Sequence, residues 1–292
     1  MIEKNLKYAA QVAYVGTGYS GWQRQPEAVG VQQVLEEALR RVSSKPVSVV
    51  GAGRTDGGVH AVGQVASFEM DREWEPDRLM MAVNFYLPPD VSLMRVERAP
   101  GDFHARRSAL WREYRYFVWH GRSCWPHLRG FVWWRKRPWD GEKVRAACRM
   151  LEGNHDFRAF CKTGECPENS VRTLSRVRYK RMGDLSLIVT RAPSFLMNMV
   201  RIMVGNIDSI GRGEEPLSWL EALLGGTGRD ASAMTAPAGG LYFWRVAYRE
   251  FTFAGNGGSC SPIGGEPAKK EPYESPSFFI RRSRECSERI LG

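Results

Sequence analysis

The 292-residue chain is long enough for one large domain or two smaller ones, and its hydrophobic content of 43% is ordinary for a globular protein. Its net charge of +10 is concentrated in residues 101–201, which carry 21 Lys and Arg against nine Asp and Glu. No run approaches the ~18 apolar residues of a membrane span, and no signal-peptide pattern opens the chain. We therefore expect a soluble, cytoplasmic protein with no membrane segment.

Strands and helices alternate in the N-terminal part of the chain. The predicted elements are a strand over 7–14, an amphipathic helix over 31–42, strands over 47–50 and 64–68, a helix from about Pro76, and a strand over 91–96. The glycine-rich loop at 15–21 lacks the third glycine of a dinucleotide fingerprint and the Gly-Lys-Ser/Thr ending of a P-loop. This loop therefore gives no indication of a nucleotide cofactor.

The same alternation continues after a break near residue 100. The predicted elements are a strand over 112–119, a helix from about Asp140, strands over 171–179 and 185–190, a helix over 195–210 capped by Ser194, and a strand over 241–248. Beyond Ala254 the chain is rich in Gly, Ser and Pro with clustered charges, which predicts a poorly ordered tail.

A short glycine-rich segment, residues 53–60, holds a single carboxylate, Asp56, on a predicted turn between two strands. The glycines on either side permit unusual backbone angles and the close approach of a ligand. This arrangement is typical of a reactive group on a tight loop. It is equally compatible with a polar surface turn, because Asp-Gly is a common turn dipeptide.

Aromatic residues are interleaved with the excess positive charge of the middle third, as in Trp111, Tyr114 and Tyr116. Basic surfaces attract polyanions, and aromatic rings stack on bases. The pattern favours a nucleic-acid partner over a merely solvated basic face. The six cysteines form no Cys-x-x-Cys pair and no zinc-type pairing with the five histidines, so we expect free thiols and no metal site.

Several motifs occur in a fixed order between residues 8 and 249. They are GWQRQ at 21–25, GRTDGGVH at 53–60, Asn84 with LPPD at 87–90, FHAR at 103–106, REYRY at 112–116, HDF at 155–157, FLMNMVR at 195–201 and TAPAGGLYFWR at 235–245. Together they resemble the tRNA pseudouridine synthase A family. The family usually has Ala where Gly57 stands, and often has histidines where Met197 and Asn198 stand. The tail has no counterpart in the family pattern.

The resemblance implies an α+β fold in which two α/β halves form one extended, mostly antiparallel sheet flanked by helices. The active-site cleft would lie between the halves. We expect residues 1–105 to form the N-terminal half with the catalytic loop, and residues 106–250 to form the basic, RNA-binding half. Residues 251–292 would form the tail.

The resemblance also implies an enzyme that isomerises uridine to pseudouridine in the tRNA anticodon arm, at positions 38, 39 and 40. It would act as a homodimer on tRNA, with neither metal nor cofactor. Asp56 matches the nucleophile, Arg201 an arginine that pairs with it, Tyr114 the residue that stacks on the target uracil, and Arg54 an arginine near the phosphates and the flipped nucleotide. The sequence leaves open whether Asp56 attacks the base or C1′.

Two other interpretations remain at this stage. The protein could be an RNA-binding module that kept the scaffold and lost catalysis, although Asp56, Tyr114 and Arg201 are all present. It could also be a metal-dependent hydrolase using Asp56, although the sequence has no clustered carboxylates to bind a metal. Without the motifs, the Asp–Arg pair would suggest a structural salt bridge, and a strand tyrosine would suggest a core residue.

Overall fold

The strands of the chain build one large sheet and one small one in the computed structural model, which describes residues 6–253. The strands are β1 (Leu6–Tyr14), β2 (Val50–Gly51), β3 (His60–Met70), β4 (Val91–Arg98), β5 (Ala109–Trp119), β6 (Trp133–Trp134), β7 (Gly153–Asp156), β8 (Val171–Leu174), β9 (Arg176–Met182), β10 (Leu185–Ala192) and β11 (Leu241–Tyr248). The small sheet pairs β7 with β8, and the other nine strands form the large sheet.

Five α-helices accompany the sheets within residues 6–253. They are α1 (Val31–Val42), α2 (Pro76–Tyr86), α3 (Gly141–Leu151), α4 (Met199–Gly211) and α5 (Leu217–Leu224). Local chemistry sets two of their starts. The Glu75 carboxylate accepts from two backbone N–H groups of the first turn of α2, and Asp140 does the same for α3. None of these helices is both long and apolar enough to cross a bilayer.

The large sheet runs in the order β4-β1-β3-β11-β5-β10-β9, with β2 added to β3 and β6 added to β5. Its pairs are antiparallel except for β3–β11 and β5–β6. The predicted α+β class with a mostly antiparallel sheet and flanking helices is therefore confirmed. The β3–β11 pair is short, with Tyr242 opposite His60 and Phe243 opposite Ala61. We call this parallel pair the central seam.

The central seam joins the strands that come before residue 105 to those that come after it. Phe243 lies opposite Ala61 of β3 on one side and Tyr114 of β5 on the other. The segment carrying Asp56 leads directly into β3, so the seam brings it next to β5. The predicted tail, 251–292, falls outside the described residues apart from 251–253, and the division at residue 105 stays a prediction.

Several predicted elements were wrong in extent, among them β3, which begins at His60 and not at residue 64. The strand predicted over 47–50 is reduced to Val50 with Gly51, because Val47 and Val49 are buried by packing rather than by strand pairing. The strand predicted over 171–179 is two strands, β8 and β9, in different sheets. The break falls at Ser175, whose backbone N–H donates to the Arg191 carbonyl.

The predicted helix over 195–210 begins four residues late. Helix α4 starts at Met199, and its N-cap is Asn198, not Ser194. Phe195, whose apolar side chain suggested helical periodicity, instead packs its ring edge-to-face against Tyr114, with centroids 5.1 Å apart. Helix α5 and the short strands β6 and β7 were not predicted from the sequence.

Candidate active site

The Asp56 turn connects β2 to β3. Polar contacts hold the two residues Gly53 and Thr55 that precede Asp56 in this turn. The Gln64 amide binds Gly53 twice, donating to its carbonyl at 2.8 Å and accepting from its N–H at 3.3 Å. The Thr55 carbonyl accepts from the Trp22 N–H, while the Thr55 and Tyr14 hydroxyls lie 2.8 Å apart. These contacts fix the residues on the N-terminal side of Asp56.

The loop before α1 packs directly against the Asp56 turn. Gly21 has φ +100°, and a β-carbon there would lie 2.4 Å from the Thr55 carbonyl oxygen. Only glycine combines that backbone angle with that approach. At this position the GWQRQ motif therefore has a structural role, because it allows the first loop to pack against the turn that carries the carboxylate.

Arg201, the third residue of α4, faces Asp56 across the cleft. Its Nη1 lies 3.4 Å from Asp56 Oδ2, and the two side chains are 18% and 26% exposed. Its Nε donates to the Ala236 carbonyl at 2.8 Å, and its own carbonyl accepts from the Ala236 N–H. The conspicuous segment at 235–245 thus anchors the guanidinium beside the carboxylate.

Burial and positive charge act on Asp56 in opposite directions. Burial raises the pKa of the Asp56 carboxyl, while Arg201 and, more weakly, Lys162 lower it; burial has the larger effect, so the pKa lies above its ordinary value. Arg201 therefore favours the ionised form, as expected from an opposite charge, but it does not cancel the cost of desolvation.

Tyr114 lies on β5 with its ring packed against two phenylalanine rings. Phe195 and Phe243 each pack edge-to-face on it, with centroids 5.1 Å away. Its hydroxyl donates to the Arg54 carbonyl at 3.5 Å, and the residue is 7% exposed. Burial raises the pKa of Tyr114 strongly, so its hydroxyl keeps its proton at neutral pH.

Arg54 is placed differently from the other three predicted site residues. Its side chain is exposed, and its Nε donates to Gln23 Oε1 at 3.1 Å. The structure thus brings Asp56, Arg201 and Tyr114 together at the central seam, with the Arg54 guanidinium at the rim.

Four arginines at or just before β5, within the basic region 101–201, fall into two groups. Arg112 donates to the carbonyls of Ala52, Pro193 and Arg106, and therefore braces the core. Arg115 forms an ion pair with buried Glu113. Their neighbours Arg106 and Arg107 are exposed on the turn before β5. This second group is the better candidate for phosphate contacts.

Sequence reasoning missed Asn198, which also faces Asp56. A carboxylate has no proton to donate, so we orient the Asn198 amide with its nitrogen toward Asp56, 2.7 Å from Oδ2 and 3.2 Å from Oδ1. These contacts are shorter than the 3.5 Å contact between Arg201 Nη1 and the amide oxygen, which would favour the opposite orientation. The residue was noted only as a departure from the family's histidines. Its position in the motif that carries Arg201 was the available signal.

A cavity of about 410 Å³ adjoins the site, with Asn198 in its wall. Lys162 and Arg229 line it with positive charge and Asp230 with negative charge, and Thr163, Ser232 and Thr235 contribute hydroxyl groups. Such a lining suits a polar ligand. Within residues 6–253 there is no group of three or more His, Cys, Asp or Glu side chains placed to hold a metal ion.

Comparisons with known proteins agree on one family. A family model described as tRNA pseudouridine synthase matches residues 10–106 and 147–249. A protein of Pseudoalteromonas atlantica named tRNA pseudouridine synthase A is 42% identical over 250 residues, covering 85% of this chain and 94% of the relative. A protein of the same name from Methylobacterium nodulans is 42% identical over 255 residues, covering 86% and 99%.

A solved structure titled "Crystal Structure of a Cbf5-Nop10-Gar1 Complex" gives a TM-score of 0.33 at 11% identity, over 83% of this chain and 60% of that one. That likeness is too low to support an argument about fold or function. The family match and the two relatives, each spanning most of both chains, are sufficient: this chain belongs to the tRNA pseudouridine synthase family.

Proposed function

We propose that this protein isomerises uridine to pseudouridine in the anticodon arm of tRNA, at positions 38, 39 and 40. The observation that carries the proposal is the Asp56–Arg201 pair at the central seam, beside Tyr114, in a member of this family. Asp56 is the nucleophile, Arg201 its charge partner, Tyr114 the stacking residue, and Arg54 a contact near the phosphates of the flipped nucleotide.

The reaction breaks the N1–C1′ bond, rotates the uracil and joins C5 to C1′; C5 gives up its proton and N1 takes one up. No group is gained or lost and no net oxidation occurs, so the chemistry requires one activated nucleophile and neither metal nor cofactor. The Asp56 carboxylate adds either to the base or to C1′ and is released when the C–C bond forms. Arg201 stabilises the ionised carboxylate before attack and after release.

The target base must leave its stack to reach Asp56, which costs a few kcal/mol. Stacking of the extruded uracil on Tyr114 returns about 1–3 kcal/mol of this cost. Because 7% of Tyr114 is exposed, this stacking requires the half-buried Phe195 ring to move away when RNA binds. Arg106 and Arg107 contact the RNA backbone, which positions the substrate without reading its sequence.

The organisation proposed around this site keeps the predicted halves. Residues 1–105 supply the catalytic loop, and residues 106–250 supply Tyr114, Arg201 and the basic surface that binds tRNA. The protein is a cytoplasmic homodimer, with one tRNA contacting both subunits. Light scattering at micromolar concentration tests the dimer, and a fully active species with the mass of one chain contradicts it.

The test of the activity is incubation of the full chain with an unmodified tRNA transcript in the presence of a chelator, followed by detection of pseudouridine at positions 38–40. Asp56→Ala and Asp56→Asn should both abolish turnover. Their tRNA affinity should stay within about tenfold of the wild type, or 1.4 kcal/mol, since Tyr114 and the basic surface remain.

A folding check accompanies both variants, because loss of Asp56 leaves Arg201 half-buried without its partner. Pseudouridine formation by folded Asp56→Ala at more than trace rates contradicts the assigned nucleophile. Binding of tRNA by the wild type without any pseudouridine would identify an RNA-binding module instead. Activity that chelation removes would indicate metal-dependent chemistry.

A further inference from the structure

Asn198 has an unusual backbone for a residue with a side chain. Its φ and ψ are 58° and 4°, and it is the single non-glycine residue with positive φ within residues 6–253. The left-handed conformation is unfavourable for most L-residues, and Asn is among the few that adopt it routinely. A strained backbone of this kind persists where the surrounding structure requires it.

The side chain of Asn198 also departs from its usual role. As the N-cap of α4, its carbonyl accepts from the Ile202 N–H at 3.0 Å. An N-cap Asn normally turns its side-chain oxygen to the N–H groups of the first turn, but here the side chain makes no such capping bond. Its amide nitrogen faces the two carboxylate oxygens of Asp56 instead, at 2.7 and 3.2 Å.

We propose that Asn198 is a positioning residue that fixes the rotation of the Asp56 carboxylate for nucleophilic attack. This inference rests on the proposed function, in which Asp56 is the nucleophile. Arg201 reaches Oδ2 at 3.4 Å, whereas the Asn198 nitrogen lies within reach of both oxygens and makes the shorter contact. The left-handed backbone at Asn198 is what turns the amide toward Asp56 rather than toward α4.

An uncharged donor suits this position for a second reason. Arg201 and Lys162 already place positive charge near Asp56, and the protonated Tyr114 hydroxyl nearby donates to the Arg54 carbonyl. Burial raises the pKa of Asp56, and N–H donors to a carboxylate oppose such a rise. Asn198 therefore helps to keep the Asp56 carboxylate ionised. Because its amide is neutral, it does so without adding a third positive charge that would bind the carboxylate more tightly.

The test compares Asn198→Gly, Asn198→Ala and Asn198→His with the control Met197→Ala, a change at the neighbouring exposed residue. Glycine adopts the left-handed backbone without strain and lacks the amide. The Asn198→Gly variant therefore measures the effect of losing the side chain without a change in backbone conformation. Histidine tolerates this backbone and supplies a ring N–H. The readouts are the single-turnover rate at saturating tRNA, the tRNA dissociation constant, and the pH dependence of the rate.

We expect Asn198→Gly to fold as well as the wild type, to keep its tRNA affinity within about twofold, and to lose roughly ten- to a hundredfold in rate. The acid limb of its pH profile should move to higher pH. Asn198→Ala should show the same shift with lower stability, Asn198→His should recover part of the rate, and Met197→Ala should match the wild type. An unchanged rate and pH profile in folded Asn198→Gly overturns the proposal.

A second readout needs no turnover. Carbon-13 NMR of the Asp56 carboxyl in the free protein should show a higher titration midpoint in Asn198→Gly than in the wild type, and an identical midpoint overturns the contact. If the wild type makes no pseudouridine, the proposed function fails, while this titration still decides whether Asn198 acts on Asp56.

Discussion

The hydroxyl groups of Tyr14 and Thr55 lie 2.8 Å apart in the core, one residue before Asp56. Both residues are buried, at 4% and 7% exposure, so the hydrogen bond ties the end of β1 to the turn that carries the carboxylate. Asp56, the proposed nucleophile, is thus held by the first strand of the chain as well as by its own turn.

Replacing Tyr14 with Phe removes this bond and leaves the ring in place. We expect a loss of about 1 kcal/mol in the free energy of unfolding, because the buried Thr55 hydroxyl loses its partner. The rate of pseudouridine formation should fall by roughly two- to tenfold as the turn loosens. Chemical denaturation and a single-turnover assay measure the two effects. Tyr86→Phe, at an exposed tyrosine, is the control and should change neither.

Arg201→Lys tests the two contacts of the guanidinium. A lysine keeps the charge but has a single nitrogen, so it cannot reach Asp56 Oδ2 and the Ala236 carbonyl in the same way. We expect the rate to fall by about tenfold, equivalent to 1.4 kcal/mol. The tRNA affinity should change little. Equal rates in the wild type and Arg201→Lys would mean that a positive charge at position 201 is enough for full activity.

Gly16→Ala should disturb the site from a distance. A β-carbon at Gly16 would lie 1.9 Å from the Val59 carbonyl oxygen, three residues after Asp56, so the backbone must move. We expect a loss of about 1–3 kcal/mol in stability together with reduced activity. Gly18→Ala is the matched control, because its nearest neighbour would be 4.0 Å away. Thermal denaturation of both variants shows whether the loss comes from the clash with Val59 or from replacing any glycine in this loop, since Gly18→Ala should lose little stability.

The exposed pair Arg106 and Arg107 should determine part of the salt dependence of tRNA binding. Removing two phosphate contacts lowers the slope of log K against log salt by roughly 1 to 2 units. The control is Arg40→Ala with Arg41→Ala, which removes two exposed arginines from the end of α1. Filter binding over a salt series measures the slopes. The same slope in both double variants would place the tRNA surface elsewhere.

His60 makes stability depend on pH. Its Nδ1 accepts from the Gly16 N–H and its Nε2 lies 2.9 Å from the Gly130 carbonyl, so the ring is held neutral. Burial lowers the pKa of His60 below its ordinary 6.5. The unfolded chain therefore binds the proton first as the pH falls, and the contribution of His60 is lost between pH 6.5 and the lower folded pKa.

The slope from this one proton cannot exceed about 1.4 kcal/mol per pH unit. Denaturation of the wild type and of His60→Gln between pH 8 and pH 5 measures it. The variant should lose less stability on acidification than the wild type. His104 and His120, whose pKa values are also lowered by burial, account for the acid sensitivity that remains. Identical pH profiles would remove His60 from this role.

Sequence patterns predicted the elements whose positions depend on interactions between residues close together in the chain. The apolar spacing of α1 and of α3 gave their positions to within a residue or two. The start of α4 could not be predicted in this way, because Phe195 packs on a strand tyrosine 81 positions away in the chain. The same is true of Val47 and Val49, whose burial comes from tertiary packing.

The residues of the candidate site likewise differ in whether a local sequence signal could reveal them. Asp56 was visible as a carboxylate on a glycine-flanked turn, but its pairing with Arg201 followed only from the family resemblance. Asn198 was missed because its role depends on a left-handed backbone and on an amide orientation. Neither property leaves a periodic or compositional trace in one sequence.

The central seam also determines when, during synthesis of the chain, the two groups of strands can join into one sheet. Strand β11 is the last strand of the described chain, yet it lies between β3 and β5, which leave the ribosome much earlier. A nascent chain that ends before Leu241 can pair β1, β3 and β4, and separately β5, β9 and β10, but lacks the strand that joins these groups. Ala61 on β3 and Tyr114 on β5 acquire their common neighbour, Phe243, only when β11 has been made. The large sheet therefore becomes continuous only once β11 has been synthesised.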